Sequence, residues 1–321
     1  MSHEVDTMAW TGAIPWHGLG REVSNDLTPE QMMRAAGVDW SVKELETFAE
    51  LNGQRIPTGQ KALIREDTNA ILSNVGLDWN TVQNIDAFNF FSEYVLAGDM
   101  EMNTAGSLKG GQIVWALAKI KESFDIFGGD QVDAYLLFSN PHQYGKSIDV
   151  KFTPIRVVCN NTLSLSLSTA SKRAVKVSHA SVFDAELVKK TLGIAHEKFA
   201  EYKEMAEFLG SRRYSIDTLK EYYKEVFPHT NIKKGVENVG EVGKENITTN
   251  NAKKCLELVD SQPGAEFAEG SWWQAFNGVT YFTDHVQGRS AESRLQSQWY
   301  GKNQILKAQA LRKAVKYAEA A

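Results

Sequence analysis

Cysteine is nearly absent from this chain: only Cys159 and Cys255 occur among 321 residues. They form no CxxC pair, so neither a zinc knuckle nor a disulfide framework is expected. No apolar run approaches the roughly 20 residues needed to cross a bilayer. The N-terminus, MSHEVDTMAW, has neither a basic segment nor an apolar stretch behind it, so no secretory signal is expected. A soluble, cytoplasmic protein is the simplest reading. Catalytic signatures are missing too. There is no HExxH, GxSxG or EF-hand loop. The seven histidines include no pair at i, i+4, so no metal site and no other cofactor is expected. Glu201-Tyr202-Lys203 matches the end of a nuclease signature, but in a segment crowded with Glu and Lys such triplets arise by chance. Cys159 lies in an apolar run with no nearby histidine, which suits a buried small hydrophobe better than a nucleophile.

What the chain does have is an uneven spread of charge. The whole carries −5, with 35 basic residues against 40 acids. Residues 141–180 oppose that sign. Lys146, Lys151, Arg156, Lys172, Arg173 and Lys176 stand there against Asp149 alone. Residues 286–321 are basic as well, with seven basic residues against two acids. A local excess that opposes the global sign points to an anionic partner, and nucleic acid is the commonest large one. The competing reading is a pair of ordinary solvated faces.

Hydrophobic patterning predicts an α+β fold: an N-terminal antiparallel or mixed β-sheet with packed helices, then a mostly helical C-terminal part. The division expected is an α+β core over 1–180 and a helical region over 181–321. Thr28 followed by Pro29 and Gln31 is a helix start with a capping box, and that helix should stop at Gly37. Strands are expected at 40–47, 61–67, 70–76, 112–120 and 134–139, and Thr81 should open another helix. SIDVKFTPIR alternates, with Ile148, Val150 and Phe152 on one face and Asp149, Lys151 and Thr153 on the other. Pro154 favours an edge or a bulge there. Residues 160–170 are expected to form a short helix and 173–178 a strand. Helices follow at 184–209, 216–227, 250–260, 270–286 and 302–318. The polar, glycine-rich stretch at about 228–250 reads as a long loop.

Four segments carry candidate chemistry. NPHQYGKS (140–147) ends like a phosphate loop but lacks its first glycine and leads into a strand pattern, so a hairpin turn is the better reading. In RVVCNNTL (156–163), Arg156, Asn160 and Asn161 can donate to phosphates or bases, while the asparagines serve equally well as a cap and a turn. KRAVKVSHA (172–180) presents Lys172 and Lys176 on one face of a strand and Arg173 on the other. It suits either a backbone-tracking strand or a lysine-protected edge. SWWQAFNGVTYFTDH (271–285) is apolar on both helical faces, which favours burial on both sides. The other possibility is that Trp273 or Tyr281 stacks bases.

Several of these segments together resemble the phage/plasmid-like family built on domain of unknown function 932. The resemblance rests on WHGLG (16–20), AGVDW (36–40), PIRVVCNNTL (154–163), KVSH (176–179) and WWQAFNGVTYFTDH (272–285), then Arg294, Trp299, Gly301 and Lys307. It implies a DNA-handling role for mobile elements in a bacterial host cell, and it supplies no catalytic residue. The order of sheet then helices also looks like that of phage single-strand annealing recombinases. The expected function is therefore single-stranded DNA binding, with strand annealing by a homo-oligomer as its extension. The alternatives are a protein-interaction or host-modulating factor and, third, a metal-dependent nuclease. The residues expected to contact nucleic acid are Lys146, Lys151, Arg156, Asn160, Asn161, Lys172, Arg173, Lys176, Trp273 and Tyr281.

Overall fold

Thr28 does what its sequence context dictates. Its hydroxyl accepts from Gln31 N while the Gln31 side chain accepts from Thr28 N, closing a capping box on α1 (Pro29–Ala35). The turn after it is made by Gly37 at φ 66°. The computed structural model describes residues 5–12, 19–127, 129–156, 161–162, 174–186, 195–228, 249–288, 290, 294, 297–299 and 301–321.

The fold is α+β. Before α1 come β1 (Val5–Trp10) and the two-residue β2 (Arg21–Glu22). Next, β3 (Val42–Leu51), β4 (Gln54–Arg65) and β5 (Ala70–Gly76) form a small antiparallel sheet. Asn52 and Gly53, both at positive φ, make the tight turn between β3 and β4. Beyond Gln60 the β3–β4 ribbon extends past its pairing with β5, and its side chains there are exposed on both faces.

Two short helices, α2 (Asn84–Asn89) and α3 (Ser92–Leu96), lead into the main sheet. The helix expected from Thr81 begins three residues later. Thr81 turns its hydroxyl to Glu44, and Asp86 accepts from Gln83 N at the helix start. The main sheet is an antiparallel meander of β6 (Met100–Leu108), β7 (Ile113–Ile126), β8 (Asp130–Pro141) and β9 (Ile148–Arg156). β1 joins β6 antiparallel and β2 joins β1 in parallel, so the sheet is mixed. The far side of β9 is shared by two short strands. β10 (Asn161–Thr162) covers Ile155 and Arg156, and β11 (Ala174–Val177) covers Ile148 to Lys151. Pro154, which has no N–H to give, falls in the gap between them. The helix expected at 160–170 lies largely outside the described residues.

After this the chain is mostly helical: α4 (Ala195–Ser211), α5 (Ile216–Val226), α6 (Asn250–Leu258), α7 (Trp272–Tyr281) and α8 (Lys302–Glu319). Of the helix expected over 184–209, residues 187–194 are outside the described set, as are residues 229–248 of the expected polar loop.

Each face of the main sheet is covered. On one, Ala105, Val114, Leu136, Phe138, Ile148 and Val150 pack against α1, α2 and the small sheet. On the other, Trp115, Leu117, Leu137 and Ile155 pack with Trp299. At the sheet's far end Ile126, Val132 and Ala134 join the core of the C-terminal helices, so strands and helices share one apolar interior. Among the described residues no helix is long and apolar enough to cross a membrane.

The closest backbone approach in the sheet is at Gly106, where a Cβ would overlap the Thr7 carbonyl oxygen and press on the Trp115 ring. Gly106→Ala is expected to force β1 and β6 apart and to cost about 1–3 kcal/mol. The denaturant midpoint of the variant checks this, and an unchanged midpoint would show that the strands can relax.

Candidate nucleic-acid interface and the charge centre beneath it

α7 does not end as an α-helix. Residues Phe282–Val286 continue it as a π-turn, closed by Gln287 N donating to Phe282 O at 2.7 Å. The wider turn places Phe282, Thr283 and Asp284 in succession against the interior, all buried. Asp284 is met there by Lys307 of α8, whose Nζ lies 2.8 and 3.1 Å from its two carboxylate oxygens. Neighbouring amides hold the turn's backbone. Gln298 Nε2 donates to Asp284 O and Asn303 Nδ2 to Thr283 O. Burial pushes the Lys307 ammonium below its ordinary value, against the pull of Asp284.

A second buried lysine comes from the sheet. Lys151 of β9 is 8 % exposed; its Nζ donates to Trp299 O at 2.8 Å and lies 3.2 Å from Asp149. Burial lowers its affinity for a proton, Asp149 opposes that, and the charge of Lys176 adds to it. Lys151 also acts on Lys307 electrostatically. The two basic segments therefore do meet. Among the described residues they meet inside the protein, as two lysines matched by two aspartates. Lys151 was expected to neutralise a phosphate. It is committed to Trp299 and Asp149 instead, because the polar face of β9 is roofed by the chain around Trp299.

The exposed charge lies at the rim of this centre. Lys176 stands directly opposite Asp149 in the β11–β9 register and is exposed. Val175 pairs with Val150 and Val177 with Ile148 in the same register. Lys146 is exposed in the turn between β8 and β9, three residues before Asp149 and so at most about 10 Å along the strand. NPHQYGKS thus makes a strand–turn–strand connection, with Gly145 at φ 75° and Lys146 N donating to Gln143 O. The same turn exposes Tyr144 to 71 %. Sequence reasoning passed over this aromatic, although the hairpin reading of its own segment would put it at a turn tip.

The aromatics expected to stack bases fare differently. Trp273 is fully buried, its Nε1 donating to Asp130 at 2.9 Å, so no base can reach it in this fold. Its helix is buried on both faces, as the double apolar pattern suggested. Tyr281 is half-buried, its ring 4.8 Å from that of His285. The backbone of Arg156 pairs with Asn161 at the β9–β10 end, while both side chains, like all of Asn160, Lys172, Arg173 and Cys159, lie outside the described residues. Among the described residues no group of three or more His, Cys, Asp or Glu side chains is arranged to hold a metal ion.

Removing one partner of the Asp284–Lys307 pair leaves a buried charge uncompensated. Lys307→Met is expected to cost about 3–5 kcal/mol, with much of the loss recovered by the double variant Asp284→Leu, Lys307→Met. Urea unfolding of the three proteins checks this; additive losses would show that the pair is not coupled.

No curated protein and no solved structure matches the chain. The model of one family, described as a domain of unknown function (DUF932), matches residues 71–299. That span begins in β5, takes in the meander with Asp149 and Lys151, and ends at Trp299 after the π-turn of Asp284. The match covers well over half of the sequence, and the chain belongs to the family built on domain of unknown function 932.

Proposed function

We propose that the protein binds single-stranded DNA along the β9–β11 edge and the adjoining β8–β9 turn, without hydrolysing nucleotide. The observation that carries this reading is the exposed turn of Tyr144 and Lys146, which leads into the start of β9 where exposed Lys176 of β11 pairs with Asp149. Sequence-tolerant strand binding uses exposed aromatic rings that stack on bases and cations that neutralise phosphates. Lys172 and Arg173 directly precede β11 in sequence, and Arg156 is the last residue of β9. Strand annealing by a homo-oligomer in the service of a phage or plasmid extends this reading.

A second reading, protein–protein binding, is favoured by the outer part of the β3–β4 ribbon, where Phe48, Leu51 and Ile56 are exposed. A two-stranded ribbon bare on both faces is marginal by itself and suits a partner's surface.

Binding of a fluorescent single-stranded oligonucleotide at several salt concentrations separates the two. Wild type is expected to bind with a steep salt dependence, about −0.7 in logarithmic slope per neutralised phosphate. Lys146→Glu, Lys176→Glu should weaken binding at every salt and flatten the slope. Tyr144→Ala should lose about 1–3 kcal/mol with little change in slope, as loss of one stacked base predicts. Absence of binding at low salt would retire the nucleic-acid reading and leave the ribbon as the surface to pursue.

A further inference from the structure

Two histidines hold the ends of the strands that carry the exposed lysines. His142 lies four residues before Lys146, at the end of β8, and His179 three residues after Lys176, beyond β11. They are 0 % and 2 % exposed. Asn84 Nδ2 donates to Val38 O at 3.0 Å and to Trp40 O at 3.1 Å, which fixes the orientation of its amide. Asn84 Oδ1 must then accept from His142 Nε2, 2.9 Å away, so that nitrogen bears the ring's proton. Among the described residues Nδ1 has no hydrogen-bond partner and is left a bare lone pair.

His179 is held as firmly. Its ring stacks on Trp79 at 3.9 Å and 11°. Its Nδ1 donates to Asn80 O at 3.0 Å, and its own carbonyl accepts from Asn80 N at 2.6 Å and from Asn80 Nδ2 at 3.0 Å. One residue thus fastens the exit of β11 to the loop after β5. The two rings feel each other electrostatically. Burial, and then the neighbouring His179, push His142 down to about 3, and burial pushes His179 down against the pull of the Asn80 and Pro141 carbonyls.

The charges nearby belong to other pairs. Arg65 lies over the Trp40 ring, which borders His142, and is paired with Asp6 and Asp67. Lys61 donates to Trp79 O and pairs with Glu44. Asp78 offers its backbone carbonyl to Asn80 Nδ2. Among the described residues no carboxylate pairs with either histidine ring. A proton added to either ring therefore meets a buried site with no counter-charge.

We propose that His142 and His179 form a proton-sensitive clasp on the nucleic-acid edge, which holds the β8–β9 turn and β11 in place when neutral and releases them when protonated. The clasp deepens the nucleic-acid reading and rests on it for its effect on binding. The closed state disfavours both protons, so the open state takes them up as pH falls below the ordinary histidine value. The clasp is closed at pH 7–8 and opens progressively below about pH 6.5. The opening equilibrium rises about tenfold per pH unit for each histidine protonated on opening.

The test is amide hydrogen exchange across 174–180, corrected for intrinsic rates, from pH 8 to 5. It is run on wild type, His142→Gln and His179→Gln, with oligonucleotide binding measured in parallel. Expected is at least a tenfold rise in wild-type opening between pH 7.5 and 5.5, a flatter profile in each variant, and affinity that falls at the pH where the open state becomes a sizeable fraction. Wild-type exchange that does not change with pH overturns the clasp, whatever the protein binds. So does affinity that rises toward low pH while exchange stays constant, the mark of simple charge gain. If exchange rises as expected but no oligonucleotide binds at any pH, the clasp stands and the nucleic-acid reading falls. The wild-type titration needs no substitution, so a variant that fails to fold does not remove the test.

Discussion

The placement of two lysines inside the protein is the constraint around which the rest is arranged. Lys151 comes from the sheet and takes an oxygen partner from the C-terminal half, while Lys307 of the last helix finds its partner within that half. The Trp299 carbonyl serves Lys151 and Asp284 serves Lys307. The π-turn exists at the point where Asp284 must face inward together with its two predecessors. An apolar replacement of such a pair could be as stable or more so. Its energetic weight lies in how severely a structure with one partner displaced is penalised. Sheet and helices are thereby registered against each other by charge, while the apolar clusters that flank the centre supply the bulk attraction.

Local signals were legible where the deciding atoms are close in sequence. The α1 cap is written in Thr28, Pro29 and Gln31, and the strand at 70–76 was bounded correctly because Gly76 ends it. The alternation of β9 was right about which residues share a face. It was silent on what covers each face. Lys151 stands in a polar position of that alternation, which normally means solvent, yet its cover arrives from a residue 148 positions away. The same limit applies at Thr81, a good cap by composition that tertiary contacts turn to Glu44.

The candidate site was half legible for a related reason. The basic bias over 141–180 is real in composition, but composition counts Lys151 and Lys307 as surface charge when Asp149 and Asp284 neutralise them internally. Among the described residues of 141–180, the exposed lysines are Lys146 and Lys176, with exposed Tyr144 in the same turn as Lys146. Trp273 drew attention because aromatic residues stand out in a sequence; its indole N–H is taken by Asp130, itself fully buried. Tyr144 drew none because the pattern of its segment, NPHQYGKS, lies in the Gly145-Lys146-Ser147 that follows it. Its significance is its exposure, which a linear reading does not measure.

The roof over the main sheet also orders the events of synthesis. The meander from β6 to β9 emerges from the ribosome long before Asp284, Trp299 and Lys307. During that interval one face of the sheet carries Trp115, Leu117 and Leu137 beside an ammonium group that has Asp149 on its own strand but not yet the Trp299 carbonyl. A hydrated charge on an unfinished sheet face is the kind of feature that opposes sheet-to-sheet association. The arrival of Trp299, just ahead of the final helix, then turns that charge into an internal fastening of the finished chain.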